Sequence, residues 1–82
     1  MKPYRQLAPH VRERLEIAVL TGERLSLQWA DEESDRAYMG RVQAREVVEE
    51  DNGCTYLDAI GEDGTPVRIR VDLIRNMPTP VK

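Results

Sequence analysis

From Pro9 onward apolar residues recur at three- and four-residue spacing, Val11, Leu15, Ala18 and Val19, which predicts a helix over 9–21 with one apolar face. Pro9 suits a first helical position, where its missing N–H has no intrahelical partner. Arg12 and Glu16 stand one turn apart on the other side, in pairing range. Gly22 supplies a left-handed stop. About three turns are too few to persist without packing on something else. Residues 1–7 read as an extended arm, with Pro3 holding Met1-Lys2 out of helix.

The period then changes to two. Leu25, Leu27 and Trp29 alternate with Arg24, Ser26 and Gln28, a strand with one buried face, in which Trp29 fills the core or covers an open end. After a polar turn at Asp31–Asp35, Tyr38, Gly40, Val42 and Ala44 alternate with Met39, Arg41, Gln43 and Arg45, and the run continues through Val47-Val48. A strand of that length bends, at Gly40 or in the Glu46-Val47-Val48 stretch. Asp51-Asn52-Gly53 is a hairpin signal, since Asn-Gly accepts positive φ. Thr55–Ile60 forms a third strand and Gly61–Gly64 a second tight turn. Val67, Ile69 and Val71 alternate with Arg68, Arg70 and Asp72 in a fourth, with both arginines facing outward. Leu73-Ile74 with Met77 suggests a short fifth strand before Pro78 and Pro80.

These elements predict an α+β, mainly β fold: an N-terminal helix followed by a small five-stranded Sm-like or SH3-like barrel. Closure would remove the exposed edges of a short meander, and the helix would cap one end. An open sheet packed on the helix is the alternative. The expected organisation is one domain over 1–82, with the arm at 1–7, helix and barrel at 8–77, and a flexible tail at 78–82.

At 82 residues there is room for one core, and with four aromatics (Tyr4, Trp29, Tyr38, Tyr56) it must come from Leu, Ile and Val. Hydrophobic residues at 40% and charged residues at 33% suit a globular chain rather than a disordered one. No stretch approaches the ~20 apolar residues of a membrane span, and no signal peptide opens the chain, so a cytoplasmic protein is expected. The net charge of −3 is uneven, with residues 1–29 slightly basic and residues 30–82 strongly acidic. Acids cluster at Asp31-Glu32-Glu33 with Asp35, at Glu46 with Glu49-Glu50-Asp51, and at Glu62-Asp63. Such loops repel a nucleic-acid backbone and favour a basic protein surface. A basic face would have to come from Arg41, Arg45, Arg68 and Arg70, the alternative being an Sm-like RNA-binding or other interaction module.

Catalytic chemistry is thin. His10, the single imidazole, sits in a first helical turn that is normally solvated, and Cys54 reads as a small half-buried side chain. One Cys and one His are too few for a zinc site. The alternation of Asp31, Glu33 and Asp35 lacks the glycine and final glutamate of a calcium loop. Gly61–Gly64 lacks the Gly-Lys-Ser/Thr of a phosphate loop. Neither an enzyme nor a cofactor is expected.

A Tyr-x-x-Leu opening (Tyr4, Leu7) leads into Leu15-Glu16-Ile17-Ala18, then the small-residue strand Gly40–Ala44, Tyr56-Leu57, and Ile69-Arg70-Val71-Asp72-Leu73-Ile74. In that order these motifs resemble the Rof family of bacterial antiterminators, over residues 4–77. The resemblance implies an Sm-like barrel preceded by a helix. It also implies a monomer that binds transcription termination factor Rho at its primary RNA-binding region, so that RNA cannot load and termination is inhibited. The helix would supply much of the contact, and Glu13 and Glu16 match acidic positions of the family's helix motif. At the helix start this chain has Ala8-Pro9-His10-Val11-Arg12 where the family carries a polar cysteine-and-aspartate run. Either the Rho interface has moved toward the acidic turns or the partner differs. The candidate partner-binding residues are therefore His10, Arg12, Glu13 and Glu16 on the helix, with Glu62 and Asp63 in the second turn.

Overall fold

A computed structural model describes residues 3–80; Met1-Lys2 of the expected arm and the last two residues of the expected tail lie outside them. Helix α1 spans Pro9–Thr21, as the spacing predicts, and four strands follow: β1 (Arg24–Ala30), β2 (Ala37–Glu49), β3 (Thr55–Gly61) and β4 (Pro66–Arg70). Each strand pairs antiparallel with the next, a meander closed at each step by a short loop. Gly22 ends the helix at φ 72°, its N–H returning to the Ala18 carbonyl. Ala8, at the other end, offers no side-chain cap, so Pro9 alone eases the start.

The core is aliphatic, as four aromatics require. Leu15 and Ala18 of α1 pack on Leu25, Leu27, Val42, Ala44, Leu57, Ala59, Ile69 and Val71, all essentially without exposure. Each such leucine contributes about 1.5–3 kcal/mol by leaving water. Val11 and Val19 complete the helix's inner face half-buried. Tyr4 and Leu7 of the arm, Trp29 and Ile74 pack around the rim.

The bend in β2 falls on Arg45. Ala44 pairs with Ala59 and Glu46 with Asp58, so Arg45 is an extra residue on β2. Strict alternation would bring Glu46 to the core side after Val42 and Ala44. The inserted residue moves Glu46 out and Val47 in, against Leu57. The bulge thus falls one residue before the expected Glu46-Val47-Val48 stretch, and Gly40, the alternative site, pairs regularly with Leu27.

The five-stranded closed barrel does not form. Where a fifth strand was expected at Leu73–Met77, Val71–Leu73 is a 3-10 turn and Ile74 makes a single bridge to Trp29. The turn is set by Asp72, whose carboxylate folds back onto Arg70. The outer edge of β1 is then satisfied largely by side chain and loop. The Arg75 N–H donates to the Gln28 carbonyl at 2.6 Å. The Asn76 amide accepts from the Gln28 N–H at 2.7 Å and donates to the Ser26 carbonyl at 3.0 Å. A two-residue strand, β5 (Thr79–Pro80), pairs with Leu25 and Ser26, and Pro78 is buried, so this part of the expected tail is tied to β1. The sheet order is β4-β3-β2-β1-β5, with β4 and β5 as separate edges.

Candidate protein-binding surfaces

The helix has a second stripe opposite its core face. His10, Glu13, Ile17 and Leu20 follow one another at spacings of three, four and three, and all four are exposed. Leu20 is 85% exposed and Ile17 46%. Glu16 flanks them. The outer face of α1 therefore carries two apolar side chains among carboxylates, in a helix whose inner face is already packed. Sequence reasoning identified Glu13 but passed over Ile17 and Leu20. Their signal was a second apolar pair at helical spacing, more than one core face of three turns can use.

Arg12 is committed internally. Its Nε meets Glu16 Oε1 at 3.0 Å and its Nη2 meets Glu49 Oε1 at 2.8 Å, so it staples the helix start to the end of β2. Both carboxylates, Glu49 foremost, raise the Arg12 pKa. Arg14 reaches Glu23 at 3.2 Å. With Arg12 and Glu16 paired, Glu13 is the charge on the outer face most open to a partner. Glu62 and Asp63 lie in the β3–β4 turn. Glu62 shares a shallow pocket with Arg24, Arg41 and Gln43, whereas Asp63 accepts the Thr65 N–H at 2.9 Å. The six candidate residues thus form a helix group and a turn group rather than one site.

Of the four arginines expected on an outward basic face, Arg41, Arg45 and Arg68 are exposed and Arg70 is buried. Arg68 does point away from the core, but both its edges are occupied. Nε and Nη2 grip Asp58 at 2.8 and 3.1 Å, Nη1 meets Glu50 at 2.6 Å, and the guanidinium lies 5.4 Å from the centre of the Tyr56 ring. Asp58 first and Glu50 second raise its pKa. Arg70 is not exposed at all. Its side chain is 1% accessible and grips Asp72, 2% accessible, at 2.6 and 2.9 Å. Its Nη2 also donates to the Pro3 carbonyl at 3.0 Å, and the Arg5 N–H donates to Asp72 at 3.0 Å. Alternation had the side of the sheet right; the N-terminal arm covers that side over Arg70.

Tyr56 gathers a further network. Its hydroxyl donates to Glu32 at 2.9 Å and accepts from the Asn52 amide at 3.4 Å. The Asn52 bond pulls the phenol pKa down, but burial and the bond to Glu32 together push it above its ordinary range. Cys54 is fully buried rather than half-buried, and His10 is exposed. Among the described residues no group of three or more His, Cys, Asp or Glu side chains is arranged to hold a metal ion, and no helix is long and apolar enough to cross a membrane. Compared with known protein families, with curated proteins and with solved structures, the chain matches none of them.

Proposed function

We propose that this chain is a protein-binding module of the Rof kind, which docks through the outer face of α1 on the primary RNA-binding region of Rho and inhibits Rho-dependent termination. The observation that carries the reading is the exposed Leu20–Ile17 pair framed by Glu13 and Glu16 on a helix already packed on its other face. Apolar side chains supply affinity, while carboxylates complement a surface built for phosphates and speed encounter. The ordered motifs over residues 4–77, and a helix leading into an antiparallel meander, support the same reading. Arg68 and Arg70, clamped by aspartates, add nothing to an RNA-binding face.

The test is capture of purified Rho by the full chain at low and moderate salt, with transcriptional readthrough measured on the same material. Binding that weakens with salt, accompanied by readthrough, is expected. Leu20→Ser with Glu13→Lys is expected to lower the affinity at least about tenfold, the effect of losing one buried anchor and one complementary charge. Absence of binding at low salt overturns the identity of the partner, and full binding by the double variant moves the interface off α1.

A further inference from the structure

The N-terminal arm, the β1–β2 loop and the 3-10 turn after β4 meet around a cavity of about 590 Å³. Pro3, Ala30 and Leu73 give it an apolar wall, and Arg5, Asp35 and Arg75 give it charge. Both arginines are held there by their backbones. The Arg5 N–H donates to Asp72 at 3.0 Å, and the Arg75 N–H donates to the Gln28 carbonyl at 2.6 Å. Their side chains are left over. Arg12, Arg14, Arg68 and Arg70 each meet a carboxylate within 3.2 Å. Among the described residues, neither the Arg5 nor the Arg75 side chain meets one within 4.0 Å. Asp72 also lines the cavity, but its carboxylate is taken up by Arg70 and the Arg5 N–H. Asp35 has no hydrogen bond or ion pair among the described residues.

Two arginines and an aspartate thus line one cavity without neutralising one another, beside an apolar wall. Small-molecule sites have this make-up, with a few charged groups fixing the orientation of a ligand whose body rests on apolar side chains. The volume also lies within their usual range of roughly 300–1,000 Å³. We propose that the cavity binds a nucleoside monophosphate, with its phosphate on Arg5 and Arg75, a ribose hydroxyl on Asp35 and the base against Pro3, Ala30 and Leu73. Two guanidinium charges balance one phosphate dianion, and their planar forks match its oxygens. A carboxylate accepts from a ribose hydroxyl, as acidic residues do in dinucleotide sites. Because the walls come from three separate segments, the nucleotide ties the arm to the loop and to the turn. The site does not depend on what binds the outer face of α1.

The experiment titrates the full chain with AMP and UMP by calorimetry at moderate salt, with adenosine and inorganic phosphate as comparisons. At least one nucleotide is expected to bind saturably, about tenfold tighter than adenosine, the effect of charge-assisted bonds to the phosphate. Arg5→Gln and Arg75→Gln should each weaken it about tenfold. Neither side chain bonds within the fold, so both variants should keep the melting temperature of the free chain. Asp35→Asn should weaken the nucleotide about threefold and leave inorganic phosphate no weaker, since only the ribose contact is lost. Amide exchange at Arg5 should slow when the nucleotide is bound. Arg24→Gln with Arg41→Gln, which removes two positive charges from a different pocket, should leave the affinity within about twofold. No saturable binding of either nucleotide overturns the proposal. An equal loss in the Arg24/Arg41 variant overturns it in favour of general charge attraction, and inorganic phosphate binding as tightly as the nucleotide overturns it in favour of a bare anion site.

Discussion

Arg68 and Arg70 stand two residues apart on one strand and on one face of the sheet, and their surroundings are built alike. Each grips an aspartate with two nitrogens and lies over a tyrosine ring, Asp58 and Tyr56 in one case, Asp72 and Tyr4 in the other. The side chain of Arg68 is nevertheless 48% exposed and that of Arg70 1%. The difference is the arm. Pro3, Tyr4 and Arg5 lie over Arg70 and bond both members of its pair, while among the described residues no segment covers Arg68 in this way. The same chemistry therefore serves two purposes. Around Arg68 it keeps a sheet face polar and ordered; around Arg70 it fastens the start of the chain to the end of β4.

The comparison is broken most strongly by removing one partner of the covered pair. Asp72→Asn leaves Arg70 charged and buried without its ion-pair partner, and a cost of about 3–5 kcal/mol is expected, read by urea denaturation. The arm should loosen at the same time, seen as faster amide exchange at Arg5, whose N–H loses its carboxylate partner. Replacing both partners, Arg70→Met with Asp72→Leu, should cost clearly less than the single change, because no charge is left stranded. A double variant as unstable as the single one would mean that the arm depends on the ions themselves.

Arg68 gives the smaller counterpart. Its ion pairs are solvated and screened, so Arg68→Gln should cost a fraction of the Asp72→Asn effect at low salt and almost nothing at high salt. A loss independent of salt would instead point to the packing of its stem on Tyr56. The Arg68/Arg70 contrast sharpens if the loss from Asp72→Asn barely changes over the same salt range.

These two arginines also mark what could be read from the sequence. Period and turn residues locate the helix, four strands and the two glycine-bearing hairpin loops, because each rests on local constraints: a repeat of apolar positions, a proline, a glycine. They also place Arg68 and Arg70 on the side away from the core, correctly. What covers that side is set by residues 67 positions away along the chain, which no local pattern encodes. The missing fifth strand has the same origin. Leu73-Ile74 with Met77 offers the apolar residues of a short strand, but Asp72 is drawn into Arg70, and Asn76 supplies β1 with bonds a strand would have made. On the candidate surface, Glu13 was legible through the family resemblance. Ile17 and Leu20 were legible in principle, as a second apolar stripe set aside once the core face was assigned.

The β2–β3 and β3–β4 loops offer the smallest and cleanest comparison. In each, the first residue's N–H donates to the carbonyl of the fifth at 2.9 Å, Glu50 to Cys54 and Gly61 to Thr65. The glycine in fourth place donates back to the first at 3.0 Å, with φ 84° at Gly53 and 83° at Gly64. In each, the third side chain accepts the fifth residue's N–H at 2.9 Å; that side chain is Asn52 in one loop and Asp63 in the other. Asn52 itself keeps negative φ, so its value to the turn lies in its side-chain oxygen rather than in the backbone freedom that Asn-Gly suggests. The Thr65 N–H, donating to the Asp63 carboxylate, holds its pKa below the ordinary value. A carboxyl lowered on folding stabilises above its unfolded pKa and loses that contribution as pH falls through the folded one. Asp63→Asn should therefore leave stability at pH 7 nearly unchanged, since the equivalent loop already runs on asparagine, and should lessen the fall between neutral pH and pH 3. Asn52→Asp should install the same acid sensitivity in the first loop and in addition lose the amide donated to Tyr56. Thermal denaturation of both variants at the two pH values decides whether the side-chain oxygen or its charge holds these turns.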